Sequence, residues 1–189
     1  MMRRVDALES VYPDLSECAV ITIMGAVAVE LHSLGHQQNF FYFEHAMGLA
    51  SSMGLGVALA QPDRKVVVFD GDGSVLMNLG GLTTLARYKP ANLVHVIFDN
   101  ESLLSVGGFP TATKTGSDLA GIAQAAGSTC VETPPTVAAF AEVFKRALTA
   151  QEHTTIIVKV EEKGPALFDL GLSLLENRFQ FMRWLERSA

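Results

Sequence analysis

The chain has 189 residues, a length typical of one compact domain, and its formal net charge of −6 disfavours nucleic-acid binding. Hydrophobic residues make up 49% of the chain and charged residues only 18%, so we expect a large core and apolar surface that another chain could cover. The apolar run at residues 19–29 is too short to cross a bilayer and residues 1–10 do not resemble a signal peptide, so we expect a soluble cytoplasmic protein with no membrane partner.

Short apolar runs alternate along the chain with longer segments of helical pattern. We predict strands at residues 19–24, 39–43, 65–70, 93–99, 128–131 and 154–160, which are rich in Val, Ile and Phe. We predict helices at residues 26–33, 46–59, 74–87, 118–126, 136–149 and 167–186, with Asp118 and Thr136 near their N-caps. This alternation predicts a single α/β domain over residues 1–189, a three-layer αβα fold around a mostly parallel sheet of about six strands, with residues 164–189 as a C-terminal helical segment.

The two cysteines, Cys18 and Cys130, are far apart in sequence, and both lie in apolar, strand-like surroundings. Free cysteine is often buried and cytosolic proteins rarely contain disulfides, so we expect two buried thiols rather than a disulfide. The chain contains no Cys-x-x-Cys pair, which disfavours an iron–sulfur cluster or a zinc ribbon.

Apolar residues of the C-terminal segment are spread around much of the predicted helix. They are Leu167, Phe168, Leu170, Leu172, Leu174, Leu175, Phe179, Phe181, Met182, Trp184 and Leu185. A helix that is apolar around so much of its circumference is usually buried. Packing against the rest of this chain and packing against a partner chain explain the pattern equally well.

The first chemical motif is a Gly-Asp-Gly sequence at the end of a predicted strand. The apolar run at residues 66–69 leads through Gly71, Asp72 and Gly73 into a helix that begins near Ser74. The glycines allow a tight turn and a close approach to a ligand. The carboxylate of Asp72 is a hard oxygen ligand suited to Mg²⁺, and the start of the helix is suited to a phosphate group.

The second motif follows the next predicted strand, where the apolar run ends in Asp-Asn. Asn100 offers a side-chain carbonyl, and the turn after it offers a backbone carbonyl. Together with Asp72, diphosphate oxygens and water, these groups would complete the octahedral set of oxygens that Mg²⁺ prefers. By itself, Gly-Asp-Gly fits an ordinary strand-to-helix turn equally well, so the prediction depends on the two motifs together.

The paired motifs resemble the cofactor signature of thiamine-diphosphate-dependent enzymes. The similarity extends to residues 41–56 and to the shorter segments 3–8, 70–80, and 118–120 with 125–127. The chain is most similar to the diphosphate-binding (PP) domain of the decarboxylases that act on sulfopyruvate or phosphonopyruvate. The resemblance implies the thiamine-diphosphate-binding fold, with thiamine diphosphate and Mg²⁺ as cofactors.

The same resemblance implies a set of site residues. Mg²⁺ would be held by Asp72, Asn100 and the carbonyl of Ser102, and the cofactor would be contacted by His45, Met47, Gly71, Asp72, Gly73, Ser74, Asn100, Ser102 and Leu103. The main chain of His45 would bind the aminopyrimidine, and Met47 would support the bent cofactor. Without the resemblance, Met47 is explained as an ordinary core methionine and Glu44-His45 as a solvated pair at a strand end.

Enzymes of this family also need a glutamate from a second domain, and 189 residues leave no room for one. The resemblance therefore implies a separate α (pyrimidine-binding) subunit that supplies the activating glutamate, in αβ pairs assembled as α₂β₂ or larger, so no catalytic residue of this chain is assigned. The expected activity is non-oxidative decarboxylation of a small 2-oxo acid. An acetolactate-synthase-like carboligase and a non-catalytic cofactor-binding module remain alternatives.

Two segments depart from the family pattern. Residues 25–27, Gly-Ala-Val, lie where the family tends to carry a polar segment near the diphosphate, so only backbone groups would make that contact. Residues 101–108 replace a stretch that usually includes an aromatic residue and faces the substrate. The sequence therefore leaves open which 2-oxo acid is used.

Overall fold

A computed structural model describes residues 1–187, so the last two positions of the predicted C-terminal segment lie outside the described residues. A parallel sheet has the strand order β2-β1-β3-β4-β8-β7. Its strands are β1 (Ala19–Thr22), β2 (Phe40–Tyr42), β3 (Val66–Gly71), β4 (Leu93–Asp99), β7 (Cys130–Glu132) and β8 (Thr154–Lys159). All six strands predicted from the sequence are present, and the three-layer α/β fold is confirmed.

Two short strands, β5 (Ser102–Leu103) and β6 (Phe109–Pro110), form an antiparallel hairpin directly after β4. The helices are α1 (Arg4–Val11), α2 (Ala26–Ser33), α3 (Ala50–Ala60), α4 (Asp72–Met77), α5 (Gly80–Tyr88), α6 (Leu119–Ala125), α7 (Val137–Thr149) and α8 (Leu174–Arg187). The hairpin and α1 were not predicted. Asp118 and Thr136 cap α6 and α7 through their side chains, as expected.

The sheet is covered on both faces, which explains why its central strands are apolar almost throughout. On one face, Phe140 and Phe144 of α7 contact Phe69 and Phe98 of the sheet. On the other face, a second cluster combines Ile97 of β4 and Ile157 of β8 with apolar residues of α4, α5 and α6 (Val75, Leu82, Leu119 and Ala123). Packing on both faces holds the sheet in place, and the loops at the carboxyl ends of its strands can form a binding site.

The predicted helix at residues 74–87 is wrong as a single element, because the structure has two helices there. Asn78 leaves the helical conformation (φ −145°, ψ 62°) and separates α4 from α5. Its amide Nδ2 donates to the carbonyl of Gly48 at 2.8 Å. The hydrogen bond to a distant loop compensates for the lost helical geometry, and the leucine spacing of the sequence could not reveal it.

The predicted helix at residues 46–59 begins later than expected, at Ala50. Gly48 has φ +86°, a left-handed conformation that is incompatible with a continuous helix and that favours glycine. The residues before Ala50 therefore form a loop. This loop reaches the functional cleft described below.

The C-terminal helix is shorter than predicted, because it begins at Leu174 and not at residue 167. Gly171 has φ +62°, and the Ser173 hydroxyl accepts a bond from Glu176 N (3.4 Å) at the start of the helix. Only Asn177 and Phe181 of α8 are buried. The helix therefore packs on its own chain along a narrow stripe, and many of its other apolar side chains are exposed.

Asn177 attaches α8 to β2, the edge strand of the sheet. Its Oδ1 accepts from Tyr42 N at 3.0 Å, and its Nδ2 donates to Phe40 O at 2.7 Å. An edge strand otherwise leaves its peptide groups unpaired. One buried amide thus satisfies both kinds of backbone group on this edge.

Cys18 and Cys130 are both free thiols, as expected. Cys18 is buried, and burial raises its thiol pKa to about 11. Cys130 lies on the edge strand β7 and is only half-buried, so the expectation of two buried thiols is wrong for this residue. No helix in the described part of the chain is both long enough and apolar enough to span a membrane.

Candidate cofactor site

A cleft opens at the carboxyl ends of β1, β3 and β4. Its walls combine apolar residues of the β1–α2 connection with the two polar motifs. The lining residues are Arg4, Ile23, Met24, Ala26, Val27, Met47, Gly71, Asp72, Gly73, Ser74, Phe98, Asn100, Ser102, Leu103, Leu104 and Ser105. Ligands of open parallel sheets bind at this end of the strands. The cleft contains every predicted site residue except His45.

Asp72 is the first residue of α4 and is 2% exposed. Its Oδ2 accepts a hydrogen bond from the Thr111 hydroxyl (2.5 Å), and the Thr113 hydroxyl lies 3.2 Å from the same oxygen. Burial raises the pKa of Asp72, the Thr111 hydrogen bond lowers it, and the neighbouring carboxylate of Asp99 raises it further. A cation beside Asp72 would favour the ionised form, and the two threonines fix the direction of the carboxylate.

Asp99 is held by a different set of partners. Thr113 donates to its Oδ1 at 2.8 Å, and Lys159 Nζ lies 2.7 Å from its Oδ2. Lys159 is therefore committed to Asp99 and to Glu101, 3.0 Å away. The negative charge of Asp99 is balanced within the protein, whereas that of Asp72 is not paired with a cation among the described residues.

Asn100 and Ser102 form a tight turn at the end of β4. The Asn100 Oδ1 accepts from Ser102 N at 3.2 Å, which fixes the amide and leaves a lone pair on the same oxygen. The Ser102 hydroxyl is buried and makes no hydrogen bond within residues 1–187. A buried polar atom without a partner is unfavourable unless a ligand satisfies it.

The hairpin β5–β6 brings the chain back over the motif. Its base is closed by a bond from Thr111 N to Glu101 O (3.1 Å), which places Thr111 beside Asp72. Leu103 of the hairpin lies directly over Gly73, where a Cβ atom would be 2.2 Å from Leu103 Cδ2. A side chain at the second glycine of Gly-Asp-Gly would therefore have to displace the Leu103 side chain of the hairpin.

Met47 lines the cleft and is half-buried, while Glu44 and His45 are exposed. Gly48 N donates to the Ser74 hydroxyl at 2.9 Å, which holds this loop against α4. Since the Ser74 oxygen accepts this bond, its own hydrogen remains free for a ligand. The carbonyl of His45 accepts from Met47 N at 2.8 Å, so its predicted contact with a ring would have to use the second lone pair of the oxygen.

The oxygen ligands of this cleft fit Mg²⁺. The residues that line the cleft offer one carboxylate, one amide oxygen, a main-chain carbonyl and a buried hydroxyl, and hard cations prefer such oxygen ligands. No group of three or more His, Cys, Asp or Glu residues that could hold a metal occurs in the described part of the chain. The cleft therefore suits a cation that receives its remaining ligands from a bound diphosphate and water, and it lacks the nitrogen and sulfur ligands of a zinc site.

Sequence reasoning missed three side chains of the site. Thr111 and Thr113 lie in a segment without a recognisable pattern, and the hairpin alone brings them to Asp72. Arg4 enters the cleft from α1, which was not predicted. Its pairing with Glu30 joins residues 26 positions apart, so local sequence gave no signal for it.

A parallel sheet with Gly-Asp-Gly after one strand and Asn after the next, both facing one cleft, is the arrangement expected of a diphosphate- and metal-binding domain. Residues 22–160 match the family described as "Thiamine pyrophosphate enzyme, C-terminal TPP binding domain". The chain belongs to this family.

Its relatives include subunits as well as longer enzymes. It is 34% identical to the sulfopyruvate decarboxylase subunit beta of Methanocaldococcus jannaschii over 98% of both chains. It is 39% identical to the phosphonopyruvate decarboxylase of Streptomyces viridochromogenes, over 81% of this chain and 38% of that enzyme. The benzoylformate decarboxylase of Polynucleobacter necessarius shares the fold, with a TM-score of 0.71 and 20% identity over 87% of this chain and 34% of that one.

Proposed function

We propose that this chain is the cofactor-binding β subunit of a two-subunit cytoplasmic decarboxylase. It would use thiamine diphosphate and Mg²⁺ to remove CO₂ from a small 2-oxo acid such as sulfopyruvate or phosphonopyruvate. Near-complete alignment with a relative named as a β subunit supports this assignment. The observation that carries the proposal is that Asp72, Asn100 and Ser102 line one cleft together with Gly71, Gly73 and Ser74.

Each residue of the cleft has a distinct proposed task. Asp72, Asn100 and the carbonyl of Ser102 hold Mg²⁺, and the free hydroxyl hydrogen of Ser74 donates to the diphosphate. Thr111 and Thr113 keep the Asp72 carboxylate directed at the cation, because they occupy its Oδ2 from one side.

The organic end of the cofactor is assigned to the neighbouring loops. Met47 supports it from below, Leu103 contacts it from the hairpin, and the main chain of His45 binds the aminopyrimidine. When bound, thiamine diphosphate supplies an electron sink for cleavage of the bond next to the carbonyl group. The tasks of this chain are to bind, orient and shield the cofactor.

The proposal includes a partner, because enzymes of this family need an activating glutamate from a second domain, and no glutamate is among the described residues that line the cleft. We propose that the α subunit contributes the activating glutamate, in αβ pairs assembled as α₂β₂ or larger. The single-domain organisation of residues 1–189 belongs to the same proposal. The assembly should form without nucleic acid or membrane.

The test is turnover by the complex of this chain with its partner subunit. The complex should release CO₂ and the matching aldehyde from sulfopyruvate or phosphonopyruvate, and activity should depend on both cofactors. A ketol product from the same 2-oxo acid would instead support a carboligase. Tight cofactor binding with no turnover of any 2-oxo acid would contradict the enzyme assignment and favour a binding module.

A further inference from the structure

Arg4 is the one cationic side chain among the described residues that line the cleft. It begins α1, and its side chain is only 3% exposed. Met2, two residues before Arg4, is attached to the end of β8. It forms a parallel bridge with Val160, and its carbonyl accepts a hydrogen bond from Glu161 N at 2.9 Å. The placement of Arg4 is therefore set by the fold, and the side chain is not a mobile surface group.

Most of the guanidinium is held by protein acceptors. Its Nε donates to Glu30 Oε2 at 2.8 Å, and its Nη2 donates to Glu30 Oε1 at 3.1 Å and to Lys163 O at 2.9 Å. Nη1 makes no hydrogen bond within residues 1–187, and it is not fully enclosed by protein atoms. Nη1 is therefore the part of the guanidinium that remains free to contact a ligand, and Arg4 is one of the residues that line the cleft.

The surroundings of Arg4 favour an anion. A Cβ atom built on Gly164 would be 3.3 Å from Ala26 Cβ and 3.7 Å from Arg4 Nη2, so Gly164 lies close to both the guanidinium and the first residue of α2. That helix has no side-chain cap, so its first backbone N–H groups remain available to a ligand, and Ala26 and Val27 line the cleft. The buried Ser102 hydroxyl in the same cleft also lacks a partner within the described chain.

We propose that Arg4 is the anion-binding residue of this cleft, with Nη1 donating to a phosphate-type oxyanion. The proposal rests on the proposed function, which brings two such groups here: the diphosphate of the cofactor and the sulfonate or phosphonate of the substrate. Glu30 holds the guanidinium in place through a two-point contact and prevents an isolated buried charge. Arginine suits this task because it stays charged and its planar fork matches oxyanion geometry.

The experiment uses the complex of this chain with its partner. The dissociation constant of Mg²⁺–thiamine diphosphate is measured by calorimetry, and kcat/KM is measured for sulfopyruvate and for pyruvate. Arg4→Met should either raise the dissociation constant of the cofactor or lower kcat/KM for sulfopyruvate. The expected change is about 10-fold to 100-fold, as for a lost charge-assisted hydrogen bond. Arg3→Met is the matched control, because it removes the same charge from an exposed neighbour and should change neither constant.

The two sources of the anion give different results. A loss confined to cofactor affinity assigns Arg4 to the diphosphate, and a loss confined to sulfopyruvate, with pyruvate unaffected, assigns it to the substrate. If the complex turns over no 2-oxo acid, calorimetry with the cofactor and with inorganic diphosphate still tests Arg4 independently of the proposed function.

The variant Glu30→Gln separates anion binding by Arg4 from a purely structural role of the Arg4–Glu30 pair. Glu30→Gln keeps the cation and should preserve anion binding to within about 3-fold, even where it lowers the melting temperature. If Arg4→Met does not fold, the double variant Arg4→Met/Glu30→Met removes the pair without stranding a buried charge. Unchanged cofactor and substrate constants in a folded Arg4 variant would overturn the proposal.

Discussion

Thr111 donates a hydrogen bond of 2.5 Å to Oδ2 of Asp72, although 39 positions of sequence separate the two residues. The connection depends on the β5–β6 hairpin, which returns the chain to the end of β3. The direction of the key carboxylate is thus determined by a loop outside the sequence motif. This relationship allows the proposed metal ligand, Asp72, and the hydroxyl of Thr111 that supports it to be tested separately.

Replacing the carboxylate itself should abolish Mg²⁺-dependent cofactor binding. Asp72→Ala removes the one acidic side chain that lines the cleft among the described residues, so we expect a loss of at least about 100-fold in affinity for Mg²⁺–thiamine diphosphate. Calorimetry on the complex of this chain with its partner subunit measures this affinity. Asp118→Asn, an exposed cap position, is the control. Unchanged cofactor affinity in Asp72→Ala would show that the metal site has been wrongly assigned.

Removing only the hydroxyl that supports Asp72 should lower Mg²⁺ affinity less than removing the carboxylate does. Thr111→Val preserves shape but deletes the hydroxyl that fixes Asp72. We expect Mg²⁺ affinity to fall by about 5-fold to 10-fold, less than the full value of a hydrogen bond to a charged group, because the hydroxyl supports Asp72 and does not itself bind the ion. Thr115→Val changes a similar but exposed hydroxyl and should leave Mg²⁺ affinity unaltered. Equal Mg²⁺ affinity in the two variants would mean that Asp72 does not need this support.

Gly73→Ala should disturb the hairpin. The added methyl would lie 2.2 Å from Leu103 Cδ2, so either the hairpin moves or the fold loses about 1–3 kcal/mol. Urea denaturation with and without Leu103→Ala measures this, and the double variant should recover part of the loss. Gly56→Ala, at a helical position with open space around it, should instead stabilise the protein by about 0.5–1 kcal/mol. A neutral Gly73→Ala would contradict the close approach.

Buried His153 should make the fold sensitive to acid. Burial lowers its pKa from 6.5 to about 4, and its Nδ1 lies 3.0 Å from Leu93 O. The unfolded chain therefore binds a proton at a higher pH than the folded chain does. The stability due to neutral His153 is complete above pH 6.5 and is lost as the pH falls toward 4, by about 3 kcal/mol at most.

The measurement is the free energy of unfolding at pH 7, 6, 5 and 4 for the wild type and for His153→Gln. The variant should show a shallower decline between pH 6.5 and 4, whatever its absolute stability. His45→Gln, which replaces an exposed histidine, should retain the wild-type slope. Parallel curves for wild type and His153→Gln would show that this residue does not govern the acid response.

The six strands were predictable because each is a short run of β-branched and aromatic residues that the sheet buries on both faces. Gly71, Asp72 and Asn100 were predictable for the same reason, since they end such runs. The relationship between Asp72 and Thr111 was not predictable, because it depends on a hairpin whose two strands are only two residues long each and carry no periodic signal. The break at Asn78 was also hidden, since the leucine spacing continues across it while a tertiary hydrogen bond to Gly48 decides the local conformation.

The Asn177 amide has a consequence for assembly. By occupying the outer peptide groups of Tyr42 and Phe40, it ends the sheet at this side. A chain truncated before Ser173 would present an unprotected template strand, onto which the strand of another molecule could add. The final helix thus determines whether the sheet remains a finite unit or becomes a starting point for polymerisation.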